Sequence, residues 1–129
     1  MNYKFTQDQV SQEGTVDHIN IGDATTIIIY DCSVKKLPNW PNVREVGCYG
    51  CSNLTELPNW PNVQKVYFPG NQLTELPNWR NVQIVNCSNN QLESLEYGPK
   101  FVRVNYYVWN NKPRLQKPEN CSIRGDFFN

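Results

Sequence analysis

Apolar residues along this chain recur with a period of 19 or 20, too long for one helix or strand and regular enough to be a structural unit. Three segments carry the same pattern: Leu37-Pro38-Asn39-Trp40-Pro41-Asn42-Val43, Leu57-Pro58-Asn59-Trp60-Pro61-Asn62-Val63 and Leu76-Pro77-Asn78-Trp79-Arg80-Asn81-Val82. Leu57 follows Leu37 by 20 residues, and Leu76 follows Leu57 by 19. The closing Val of each segment is followed by apolar residues three and five positions on: Val46 and Cys48, Val66 and Phe68, Val85 and Cys87. Polar residues fill the alternate positions. Asn71 and Asn90 then stand three residues beyond Phe68 and Cys87, each followed by a Leu at 73 or 92. In the first copy Cys51 holds the Asn place, and Ser52-Asn53-Leu54 contains one extra residue, which accounts for the 20-residue spacing.

This alternation predicts one short strand per repeat. A strand has period two, so Val66 and Phe68 point inward while Lys65, Tyr67 and Pro69 point outward. Identical units stack in parallel at ~4.8 Å per rung, since one unit cannot bury its own apolar face. A repeat this short leaves no room for a return helix. Pro38, Pro41, Pro58 and Pro61 lack an amide donor and push the preceding residue out of helical space, so the convex side is expected to be extended and thin. Trp40, Trp60 and Trp79 stand three residues before an inward Val, a phase that makes them a buried spine.

Weaker copies continue the array. Ala24, Ile27, Ile29, Cys32, Val34 and Leu37 share the phase on one side, and Leu95, Phe101, Val104 and Tyr106 on the other, with Tyr97-Gly98-Pro99 replacing the Asn-Trp-Pro segment. Ile123, 19 residues after Val104, suggests a last rung. The expected architecture is a β-rich solenoid of about five to six parallel strands, one domain over residues 1–129, with repeats over 24–107. Residues 1–23 break the phase and are expected to form a strand or hairpin cap. Residues 108–129, with Trp109, Leu115, Phe127 and Phe128 interrupted by Pro113 and Pro118, are expected to form an irregular second cap.

The pattern L-x-x-L-x-L-x-x-N-x-L resembles the leucine-rich repeat family. The short copies with a Leu-Pro step look like the repeats of bacterial effector proteins and of large DNA viruses of amoebae, although Trp40, Trp60 and Trp79 stand where Leu is usual there. The resemblance implies an asparagine ladder through Asn71 and Asn90, and a scaffold that binds proteins through its strand face.

Composition narrows the function. Twelve basic and twelve acidic residues leave no net charge, which argues against bulk nucleic-acid or membrane-surface binding. The longest apolar run is four residues, Ile27 to Tyr30, against the ~20 of a membrane helix, and the first residues lack a signal-peptide core. Five cysteines without a secretion signal read as reduced thiols of an intracellular, cytoplasm-like environment. Cys48-Tyr49-Gly50-Cys51 is the sole C-x-x-C pair, and with His18 as the only histidine neither a metal centre, a cofactor nor catalysis is expected. Charge is uneven along the chain, with a net of −4 over residues 1–31 and +3 over residues 96–129. Such poles allow head-to-tail or assembly contacts through the ends.

What remains is the outward face of the strands. Its columns read Thr26, Ile28, Tyr30; Glu45, Gly47, Tyr49; Lys65, Tyr67, Pro69; Ile84, Asn86, Ser88; and Arg103, Asn105, Tyr107. Tyr and Arg are enriched at protein interfaces, although β-propensity alone also places Tyr and Ile on open strand faces. The expected contact residues are Ile28, Tyr30, Tyr49, Lys65, Tyr67, Ile84, Asn86, Arg103, Asn105 and Tyr107. The expected function is a non-catalytic module that binds a protein partner through this face. The alternative is a structural component of a larger assembly, such as a virion or capsid, that contacts its neighbours through edges and charged ends.

Overall fold

The computed structural model describes residues 2–30, 33–93, 104–107 and 123–124. Within them the chain forms strands β1 (Asn2–Phe5), β2 (Thr26–Tyr30), β3 (Glu45–Tyr49), β4 (Lys65–Tyr67), β5 (Ile84–Asn86), β6 (Val104–Tyr107) and β7 (Ile123–Arg124). All pair in parallel and in chain order within one sheet. The result is a β-solenoid whose only helical element among the described residues is a 3-10 turn at Gln7–Gln9. Sequential parallel pairing requires each connection to travel around the back, and the proline-bearing repeats do so in extended chain, with no helix over 50–64 or 68–83.

The core follows the repeat. Val46, Val66 and Val85 align across β3, β4 and β5, and all are buried. Ile29 aligns with Cys48 across β2 and β3, and Phe68 and Cys87 continue the buried row immediately after β4 and β5. On the return side Trp40, Trp60 and Trp79 are buried as a stack, with centroid separations of 6.2 and 6.3 Å and ring planes within 10° and 7° of parallel. Phe5 extends this stack, 6.1 Å from Trp40. The indole N–H groups cannot be left unpaired in such a core. Trp60 donates to the carbonyl of Pro38 and Trp79 to that of Pro58, each at 2.9 Å, so both indoles bridge to the preceding rung.

Where the strands end, the chain turns inward without a sheet partner. Asn71 and Asn90 supply the missing bonds. Asn90 Oδ1 accepts from Leu73 N at 3.0 Å, and its Nδ2 donates to the carbonyls of Phe68, Cys87 and Ser88. Asn71 repeats the arrangement one rung earlier, accepting from Leu54 N at 3.3 Å and donating to Phe68 and Pro69. Just before each turn residue lies a backbone position with positive φ, occupied by Gly50 (81°), Gly70 (71°) and Asn89 (57°). These residue types tolerate that region at little steric cost, which explains their recurrence. Among the described residues no buried side-chain nitrogen or oxygen lacks a partner.

Three expectations change. The N-terminal segment, expected to break the phase as a strand or hairpin, forms the strand, but in phase: β1 pairs in parallel with the array, with Phe5 opposite Ile29. The following residues are tied to the back of the first rung through Gln7, which bonds Ser33 by both its amide groups, and through the Gly14 carbonyl, which accepts from Lys35 and Lys36. Next, β6 is displaced by two residues from the expected register, because Tyr106 rather than Val104 lies opposite Val85. A slip of two leaves every side chain's face unchanged, so the apolar pattern could not detect it. Finally, the cysteines are not all thiols: Cys48 and Cys51 form a disulfide. Both are buried as core packing requires, and the turn at Gly50 brings their Cα atoms to 6.0 Å. The last rung does form, with Ile123 opposite Val104.

Candidate interaction face

Parallel register places the outward residues in columns. Thr26, Glu45, Lys65 and Ile84 form one row across the sheet, and Ile28, Gly47, Tyr67 and Asn86 form the next. Tyr30 and Tyr49 stand opposite each other at the ends of β2 and β3. Asn105 and Tyr107 of β6 lie opposite Ile84 and Asn86. Arg103 lies outside the described residues.

Most of this face is half-buried by its own neighbours. Ile28, Lys65, Tyr67, Ile84 and Asn86 are partly covered. Tyr30 and Tyr49 differ: they are the exposed large apolar side chains among the described residues, at 38% and 51%. Their rings stack, with centroids 5.8 Å apart and planes inclined by 23°. The two residues are 19 apart in sequence, and the coiling of the rungs brings them opposite each other.

Gly47 is buried in the middle of the face, and the reason is Tyr67. A Cβ at residue 47 would lie 3.3 Å from Tyr67 Cβ and 3.7 Å from its Cδ2, so the tyrosine ring lies against the strand where a side chain is missing. Ser88, expected to face outward, is buried instead. Its amide and hydroxyl both donate to Asn86 Oδ1, at 3.3 and 3.1 Å, which turns the chain inward at the end of β5. The carboxamide oxygen of Asn86 is therefore engaged within its own rung.

A second surface was not anticipated. Residues one and three positions before the strands line an open polar groove of about 580 Å³, formed by Asp23, Thr25, Asn42, Arg44, Asn62, Gln64 and Asn81. The recurrent Asn-Val step of the repeat was its visible signal. Asn62 donates to the carbonyl of Pro41 and Asn81 to that of Pro61, at 2.8 and 3.0 Å, so this column also clamps successive rungs.

Chemistry is sparse elsewhere. Among the described residues no three His, Cys, Asp or Glu side chains lie close enough together to hold a metal ion. The buried thiol of Cys87 has its pKa pushed up from 9.0 to about 12, chiefly by burial, with a backbone hydrogen bond at Phe68 opposing in part. No helix among the described residues is long and apolar enough to cross a membrane. Compared with known protein families, curated proteins and solved structures, the chain matches none.

Proposed function

We propose that this solenoid is a non-catalytic interaction module that binds a protein partner through its outward strand face. The observation that carries the reading is the stacked, exposed Tyr30–Tyr49 pair. Aromatic side chains held rigidly by neighbours present a large contact area at low entropic cost. Ile28 and Tyr67 lie in the adjoining row, which extends the surface without deepening it. The resemblance of the repeats to leucine-rich repeats, whose strand faces serve as binding surfaces, points the same way.

The test is affinity capture from the native source, comparing wild type with a Tyr49→Glu/Lys65→Glu double variant and with charge reversal of Lys112, Arg114 and Lys117. Loss of one abundant partner with the face variant alone is the expected result. Loss with the C-terminal variant alone would reject the face and favour assembly contacts through the ends. Equal thermal stability of the baits is the control.

A further inference from the structure

Cys48 and Cys51 enclose Tyr49 and Gly50 in a small loop closed by the disulfide. The same backbone course occurs on the next two rungs, where Phe68 and Asn71, then Cys87 and Asn90, occupy the equivalent places. Those two turns are held by the asparagine amides described above. At residue 51 there is no amide, and the sulfur–sulfur bond takes over the task of closing the turn. Of three equivalent turns, two are therefore closed within their own rung by an asparagine amide, and the third, whose Leu54 N–H is held by Asn71 of the next rung, is closed by a bond that thiols can open. That third turn carries Tyr49, the most exposed member of the aromatic pair.

We propose that Cys48–Cys51 is a thiol–disulfide switch that controls how Tyr49 is displayed on the strand face. Its functional consequence rests on the reading of that face as the interaction surface; the switch itself does not. The co-reactant is a dithiol of the cell's protein-thiol or small-thiol class. Its thiolate attacks Cys51 Sγ, the disulfide breaks, and Cys48 Sγ leaves and takes up a proton. The second thiol of the reductant then attacks the mixed disulfide at the reductant's own sulfur, releasing the Cys51 thiol. Two electrons and two protons enter the cysteine pair, and the reductant becomes a disulfide. Cys51 is the better target: both cysteines are buried, but Cys51, at 4% exposure against 1% for Cys48, lies in the turn between exposed Gly50 and Ser52, so opening of that turn uncovers it first, whereas Cys48 is held in β3.

The consequence is local for two reasons. A loop this short removes little entropy from the unfolded chain, so the bond adds little to global stability. The β2–β3 pairing of Thr26–Ile29 with Glu45–Cys48 and the buried row through Cys48 persist without it. What is lost is the closure of the turn after Tyr49, and with it the fixed stacking on Tyr30.

The experiment uses the full chain, oxidised or treated with dithiothreitol, trapped with N-ethylmaleimide, mapped by mass spectrometry and followed by amide hydrogen exchange. Cys48 and Cys51 are expected to be labelled together on reduction while Cys87 stays unlabelled. Amides of residues 49–53 are expected to exchange about tenfold faster in the reduced form, with Leu54, held by Asn71, and residues 65–73 unchanged. Cys51→Asn, which supplies the amide used by the next two rungs, is expected to hold exchange at the slow rate under both conditions. Equal exchange in both forms, or labelling of the pair only together with Cys87, would overturn the switch. Partner capture separates the two readings. If exchange responds to reduction but Tyr49→Glu leaves capture intact, the face is wrong and the switch stands; if Tyr49→Glu abolishes capture while reduction changes neither exchange nor capture, the switch alone falls.

Discussion

Trp60 joins the three kinds of interaction on which each rung depends. Its ring lies between those of Trp40 and Trp79, its N–H is paired to the rung below, and its surface is wholly buried. Replacing it with Ala leaves a large cavity in a thin core that cannot collapse, so Trp60→Ala is expected to destabilise by about 3–5 kcal/mol in denaturant unfolding. Trp60→Phe retains the stack and loses the bond to Pro38, and should cost clearly less. Cys87 makes a different residue-scale prediction. Because its thiol is pushed up to about 12 from 9.0 in the fold, it stays protonated while the unfolded chain ionises. Its contribution is therefore intact below pH 9.0 and is lost as pH rises toward about 12. Cys87→Ala should remove that part of the pH dependence, measured as the difference in unfolding free energy between the two proteins across this range. Native protein should also leave Cys87 unalkylated at pH 8, since the reactive species is the thiolate.

At the scale of the element, the strand and its turn form one unit. The strands are short because the positive-φ residue at 50, 70 or 89 ends the extended course and sends the chain into the core. Gly70 isolates this effect. A Cβ there meets nothing within 4 Å, so Gly70→Ala is penalised only by backbone conformation. We expect a loss of about 1 kcal/mol for Ala and less for Asn, the residue that holds the same place at 89, read from the shift of the urea midpoint. Gly47 is the opposite case: its lack of a side chain is used by the Tyr67 ring, so steric fit rather than φ explains it.

Across the whole molecule, the array is a stack in which each rung protects the next, so its ends carry a particular burden. β1 covers β2, Phe5 is fully buried, and Val10, Ile19 and Ile21 pack against the core. Deleting residues 1–23 uncovers the β2 edge together with Ile27 and Ile29 at the end of the core. An exposed apolar edge strand pairs with other chains. The truncated protein is expected to elute as oligomer or aggregate in size-exclusion chromatography under conditions where the full chain does not; unchanged elution would mean that the segment is dispensable.

The resemblance to leucine-rich repeats implied the ladder of Asn71 and Asn90. The sequence alone determined the period, the inward positions from Ala24 to Leu92 and the buried tryptophans. All of these are consequences of local alternation repeated at a constant interval, so one copy interprets the others. The columns of the strand face from Thr26 to Asn86 followed from the same repetition. Only the tertiary structure decided what depends on distance through space or on a choice between equivalent registers. The Cys48–Cys51 bond depends on a turn geometry, the Tyr30–Tyr49 stack on adjacent rungs, and the polar groove on side chains drawn from four of them. The two-residue displacement of β6 belongs here too, because a period of two scores both registers alike. Ser88 sat in an outward column by alternation, but the bonds to Asn86 had already turned the chain away from the strand. Alternation assigns faces only while the chain remains extended, and where each strand stops was settled by the turn that follows it.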